Sequence, residues 1–237
     1  IIYLSIPWAI SIHTVTAFLY SGLAARTFWM TAVLAPRFLS SAFASGPALL
    51  ILAVFIIRKF TKFDPGQPAV RNLSLIVTYA MVINVFLILM EVFTAFYSNI
   101  PEHMNHFQYL FFGLNGHNNL VPWMWLSVIL AVVSLVLLIN PSTRTNNRTL
   151  GFACVTVFLS IWIDKGLGMV VTGFVPNPLG RVTEYWPTIP ELFISLGVYA
   201  FGLLMVTGFY KIALSVKEDE QVKEEKHRRM IARTSGA

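Results

Sequence analysis

The polar residues inside the long apolar runs of this sequence recur on single helical faces. His13, Thr16 and Tyr20 are spaced by three and four, and Asn84, Glu91 and Thr94 by seven and three. Thr156, Ser160 and Asp164 are spaced by four, as are Glu191, Ser195 and Tyr199. A charge near the centre of a bilayer costs about 2.5–3.5 kcal/mol on insertion scales, which makes such residues candidates for function. Glu91, Asp164 and Glu191 all fall toward one membrane face, with Arg26 and Arg37 at the ends of neighbouring segments on the same side. Desolvation disfavours the charged form of a carboxylate and a nearby guanidinium favours it, so groups held between the two effects are suited to exchange protons. A quinone needs what this zone offers: His, Tyr or Asn for its two oxygens, carboxylates for two protons, and an apolar opening for its tail. A proton or ion pathway would use the same residues, and the sequence leaves both open.

Several of these residues also have a purely structural reading. Ser and Thr in membrane helices bond their own backbone or a neighbouring helix. Asp164 beside Lys165 can be a neutralised pair at a helix end. Glu91 has no cation near it in the sequence. Ser41, Ser45 and Gly46, followed by Pro47, read as a close-packing stripe with a kink. His13 is the one histidine within a span, whereas His103, His106, His117 and His227 fall in loops or the tail, so no bis-histidine haem is expected. His103 and His106 lack the cysteines or paired carboxylates of a metal site, and Cys154 is a lone mid-helix core residue.

The elements that must position these groups follow from composition. Of 237 residues 56% are hydrophobic and 12% charged, more apolar surface than one soluble core can hide. A spanning helix needs roughly 20 apolar residues. Six stretches qualify, near 2–24, 38–59, 73–97, 121–140, 149–170 and 188–212, which predicts an all-α polytopic bundle over residues 1–214 and a charged tail over 215–237. Alternate connections and the tail carry 13 of the 17 Lys and Arg, among them Arg58, Lys59, Lys62, Arg71, Arg144 and Arg148. The positive-inside rule then places the C-terminus in the cytoplasm and the stretches 25–37, 98–120 and 171–187 outside. The net charge of +6 is accounted for by topology, and no base-stacking basic surface points to nucleic acid. Pro101 to Asn119, rich in Phe, Tyr, His and Asn, reads as an interfacial piece or a docking surface. The Gly and Pro content from Gly166 to Pro190 predicts that the fifth helix ends early in tight turns. The tail from Ser215 reads as a frayed helical extension. Ile1 already lies in an apolar run, so the chain is expected to be the C-terminal portion of a longer protein.

Two segments carry a family resemblance. SIHTVTAFLYSGLAARTFWMTAVLAPRFLSSAFASGPALL, Ser11 to Leu50, closely resembles the NrfD/PsrC family of quinone-reactive membrane subunits. IWIDKGLGMVVTGFVPNPLGRVTEYWPTIPEL, Ile161 to Leu192, is similar to the DsrP-like branch found in Hdr-like menaquinol oxidoreductase (DsrMKJOP) complexes. The resemblance implies a subunit without haem or iron–sulfur cluster that binds menaquinone and serves sulfite or sulfate metabolism. Its implied partners are a DsrO-like extracytoplasmic iron–sulfur protein, cytochrome b-type and c-type subunits, and a cytoplasmic Hdr-like iron–sulfur subunit. It supports His13, Arg26, Arg37, Asp164, Lys165, Gly166, Glu184 and Glu191, while Glu91 rests on its place within an apolar run alone. Arg181 stands where the family pattern has an acidic residue, and Asp164 where glutamate is commoner.

The expected roles are therefore His13, Glu91, Asp164 and Glu191 in proton exchange, with His13, Tyr20, Arg26, Arg37 and Lys165 around the quinone. Two alternatives stand beside this reading: a proton or ion translocator without redox chemistry, and a membrane anchor for partner subunits.

Overall fold

In lipid every backbone N–H and C=O must be satisfied within its own segment, so long apolar runs fold as helices. The computed structural model describes residues 2–60, 66–177, 179, 181–183 and 187–234, with side chains up to residue 216. Among these residues the regular structure is helical, with turns between the helices and one isolated bridge between Leu114 and His117. The helices are α1 (Ile2–Ser21), α2 (Leu34–Phe60), α3 (Gln67–Tyr97), α4 (Pro101–Phe111), α5 (Val121–Ile139), α6 (Pro141–Thr145), α7 (Asn147–Trp162), α8 (Val170–Phe174) and α9 (Ile189–Thr234). A 3-10 turn, Thr27–Trp29, precedes α2, and a π-helical segment, Ile163–Met169, joins α7 to α8.

Five helices are long and apolar enough to cross a membrane: Leu34–Phe60, Gln67–Tyr97, Val121–Ile139, Asn147–Phe174 and Ile189–Val216. The chain is a multi-pass integral membrane protein. The stretch expected as the first span forms α1, a 20-residue helix that is not among these five, its apolar character diluted by Pro7, His13 and its Ser and Thr residues. Residues 1–184 form one compact unit and residues 185–237 a second. Within the first, α2, α3, α5 and α7 enclose an apolar core of Ala48, Ile51, Val77, Met81, Leu138 and Val157. Cys154 is fully buried in it. A second core, around Trp29, Phe107, Tyr109 and Met169, seats the 3-10 turn against α4 and the π segment. The second unit contains α9, whose apolar side chains, such as Phe193, Leu203 and Phe209, are exposed.

Two expectations change. The second helix starts at Leu34 instead of near 38, which moves Arg37 from a loop into the first turns of α2. The fifth helix does not end early, because its glycines are used inside it. A Cβ at Gly168 would lie 2.9 Å from Met124 Sδ, and one at Gly173 would lie 2.0 Å from the Trp29 ring. These are close approaches of packed helices, so the segment runs through its π turn to Phe174. The tail, expected as a helical extension, continues α9 past Ser215 to Thr234. Pro101 to Asn119, read as an interfacial piece or a docking surface, contains α4, whose His106, Phe107, Tyr109 and Leu110 are buried. Lys62, Pro178, Gly180 and Glu184 lie outside the described residues.

Candidate functional site

Arg37 is the centre of the site. It is 3% exposed, and its guanidinium reaches across to two other helices. Nη1 donates to Glu91 Oε2 of α3, itself 8% exposed. Nη2 donates to Asp164 of the π segment, at 3.3 Å to Oδ1 and 3.2 Å to Oδ2. Lys165 Nζ lies 3.5 Å from Asp164 Oδ2 and sits over the Phe38 ring at 5.6 Å. Two cations and two carboxylates are thus collected at lipid depth with zero net formal charge, the condition under which such groups are tolerated there. Glu91, which the sequence leaves without a cation, is paired from another helix, and Asp164 has Arg37 as well as its neighbour Lys165.

The local structure explains how these groups meet. In the wider π turn, the adjacent residues Asp164 and Lys165 both serve one cluster. Trp29 fixes this turn from outside by donating from Nε1 to Met169 O at 3.0 Å, with its ring seated where Gly173 has no side chain. Behind Arg37, Ser40 Oγ donates to Arg37 O at 3.2 Å and to Asn84 Oδ1 at 3.4 Å. Ser127 and Ser160 exchange hydrogen bonds to each other's carbonyls, both at 2.9 Å, and tie α5 to α7 below the cluster.

Two cavities open on the cluster from different sides. One, of about 510 Å³, is lined by His13, Phe38, Ser41, Ser45, Trp162 and Lys165. Gly46 also borders it, and a Cβ there would meet nothing within 4 Å. The expected close-packing stripe is therefore the wall of a cavity at this point. Ser41 and Ser45 bond carbonyls of their own helix. His13 is half-buried, and its Nδ1 lies 2.9 Å from Ala9 O. A carbonyl only accepts, so Nδ1 carries a proton, and in the neutral ring Nε2 then has a lone pair for another donor. Lys165 Nζ is buried and, beyond its ion pair with Asp164, makes no hydrogen bond. The other cavity, of about 230 Å³, is lined by Glu91, Thr31, Thr94, Ser98 and His103. The first cavity thus combines an imidazole, an ammonium and aromatic rings along an apolar wall.

The family described as "Polysulphide reductase, NrfD" matches residues 1–173. The chain belongs to the NrfD family. Among its relatives, a putative dimethyl sulfoxide reductase membrane subunit from Halobacterium salinarum is 23% identical over 227 residues, 85% of this chain and 50% of that protein. The Hdr-like menaquinol oxidoreductase integral membrane subunit of Archaeoglobus fulgidus is 24% identical over 89% of this chain and 56% of that one. A selenate reductase subunit of Mesobacillus selenatarsenatis is 24% identical over 84% of this chain and 47% of that one. The chain spans about half the length of the curated relatives it matches. These NrfD relatives are membrane subunits of oxidoreductase complexes. The NrfD match contains His13, Arg37, Glu91, Asp164 and Lys165.

The other expected residues are held by different partners. Tyr20 packs edge-on against Trp29 with ring centroids 4.7 Å apart, and against Phe38 at 6.0 Å. Arg26 Nη1 donates to Phe174 O at 3.3 Å, and its guanidinium lies over the Phe174 ring at 4.7 Å. It borders a separate cavity of about 350 Å³ with Glu102, Asn105 and His106. Glu191, in the second unit, accepts from Thr188 N at 2.6 Å and Thr188 Oγ1 at 2.8 Å, an arrangement that caps the start of α9. Sequence reasoning did not connect His103 to Glu91. The usable signal was its position just beyond the end of the helix that carries Glu91.

Proposed function

We propose that this chain is the quinone-reactive membrane subunit of a respiratory redox complex, exchanging electrons between menaquinol and an iron–sulfur partner on the outer side. The observation that carries the reading is the 510 Å³ cavity, where the unshared Nε2 of His13 and the ammonium of Lys165 border one apolar space beside a buried pair of carboxylates. A bound quinol would supply two electrons and two protons. His13 Nε2 accepts from one hydroxyl, and Lys165 donates to a ring oxygen while remaining paired with Asp164. The second proton would pass by way of the Lys165 ammonium, which gives a proton to its partner Asp164 as it takes one from the other quinol hydroxyl. Glu91 faces the second cavity, where Thr31, Thr94, Ser98 and His103 offer hydroxyls and an imidazole as a route to water. Phe38 and Trp162 add aromatic rings to the wall of the first cavity. The positive-inside distribution supports an outer placement of this end. The menaquinol relative supports the quinone type, and the sulfur-linked terminal chemistry rests on the same resemblance. DsrO-like and cytochrome partners belong to this proposal too.

The test is steady-state quinol oxidation by the intact complex carrying His13→Ala or Lys165→Met. Loss of a positioned acid–base group predicts kcat/KM lower by about 100-fold with assembly unchanged. Wild-type turnover in both variants would overturn the assignment. A translocator without redox chemistry needs a polar path through the bundle, and the packing of Ala44, Ala48, Ile51, Val77 and Met81 argues against one.

A further inference from the structure

The largest cavity among those described is not at this site. It has a volume of about 610 Å³ and lies between the first turns of α3 and α7 and the short α6. Arg71, Asn72, Arg144 and Asn147 form its polar wall, buried Val70 and Leu150 lie beneath, and no carboxylate among the described residues lines it. The Arg71 guanidinium has neither a hydrogen bond nor an ion pair among the described residues. Arg144 donates from Nη1 to Leu138 O at 3.1 Å, which ends α5, yet its Nε is buried without an acceptor. Arg71 precedes Glu91 by 20 residues of one continuous helix. That is roughly 30 Å along the axis, the full thickness of the hydrocarbon. The cavity therefore sits at headgroup depth on the face opposite the ion cluster.

We propose that this cavity binds a phosphate-bearing anion, either the headgroup of an anionic phospholipid or free phosphate. Two guanidinium groups present planar sets of N–H donors that match phosphate oxygens, and the neighbouring Asn side chains add neutral donors. The apolar floor at Val70 and Leu150 suits the glycerol and first acyl carbons of a lipid, which free phosphate does not have. Basic pockets between membrane helices hold anionic headgroups by this combination of charge and apolar depth. Topology alone explains why Arg71 and Arg144 lie on this side. It does not explain why both border one cavity without a carboxylate among the described residues, with a buried Nε left unanswered.

The experiment uses the full chain in the membrane complex with which it purifies, stripped of lipid in detergent and followed by native mass spectrometry. Dioctanoyl phosphatidylglycerol, dioctanoyl phosphatidylcholine and inorganic phosphate are titrated separately. One phosphatidylglycerol should bind in preference to phosphatidylcholine, and Arg71→Gln should weaken it roughly fivefold. Arg71 is exposed, so this variant does not depend on refolding the bundle, and Arg144→Lys keeps the charge should Arg144→Gln fail to assemble. Arg71-dependent binding of inorganic phosphate without phosphatidylglycerol binding would assign the site to the free anion. If neither ligand binds in an Arg71-dependent way, or phosphatidylcholine binds as tightly as phosphatidylglycerol, the proposal fails.

Discussion

The two ends of the α2–α3–α7 bundle treat arginine in opposite ways. At one end Arg37 is almost wholly buried and answered by Glu91 and Asp164. At the other, Arg71 and Arg144 face a cavity with no carboxylate among its described lining residues. The difference follows from depth. A guanidinium inside the hydrocarbon must have its counter-charges supplied by the protein, because the surrounding lipid offers none. At headgroup level anionic groups are abundant, and the protein need only leave a shaped opening. Buried charge at the first end is thus fixed and internally compensated, whereas charge at the second is, on the proposal above, available to something outside the chain.

The most severe way to break this contrast is to remove the cation at the compensated end. Arg37→Leu leaves Glu91 without its partner and should cost about 3–5 kcal/mol, seen as loss of folded protein in detergent extracts. Arg37→Leu combined with Glu91→Leu should recover much of that yield, because only the unpaired charge is costly. A smaller effect comes from Gly173→Ala, which changes no charge but would place a methyl group against Trp29 and shift the π turn that carries Asp164. Overpacking of this kind costs about 1–3 kcal/mol, measurable as a lower unfolding temperature. The mildest probe is pH. Burial pushes the His106 imidazole down from 6.5 to about 4, with His103 adding to the effect and backbone acceptors at Val175 and Thr172 opposing it. Between those values the unfolded chain binds a proton that the folded chain does not. Stability from neutral His106 is therefore complete above pH 6.5 and lost as the pH falls toward 4, and His106→Gln should flatten the unfolding-temperature profile across that window.

Much of this was legible in the sequence, for physical reasons that can be named. Helices were visible because lipid permits few other folds, and Glu91 and Asp164 stood out because lipid tolerates few charges. The pairing of Arg37 was not visible. It depends on α2 starting at Leu34, which brings the arginine inside the membrane, and helix ends are weakly encoded when Leu, Ala and Pro can serve either side of a boundary. The π turn was hidden for a related reason. Gly166, Gly168 and Gly173 read as helix breakers in isolation, but Met124 and Trp29, which occupy the space at Gly168 and Gly173, lie 44 and 144 residues away in the chain. The stripe of Ser41, Ser45 and Gly46 has the composition of a packing seam, and only the position of the neighbouring helices decides whether small residues admit a helix or leave a cavity. Glu191 shows the reverse case, where a carboxylate at a helix start is satisfied as a cap.

If the quinone headgroup sits in the cavity beside His13 and Lys165, a reactive quinone must mark the walls of that cavity. A photoreactive short-chain menaquinone analogue, applied to the purified complex and mapped by peptide mass spectrometry, tests this directly. Labelling should concentrate in peptides containing His13, Ser41 to Gly46, and Phe158 to Gly166, and should fall in Lys165→Met. Labelling confined to other segments, or unchanged in that variant, would contradict it.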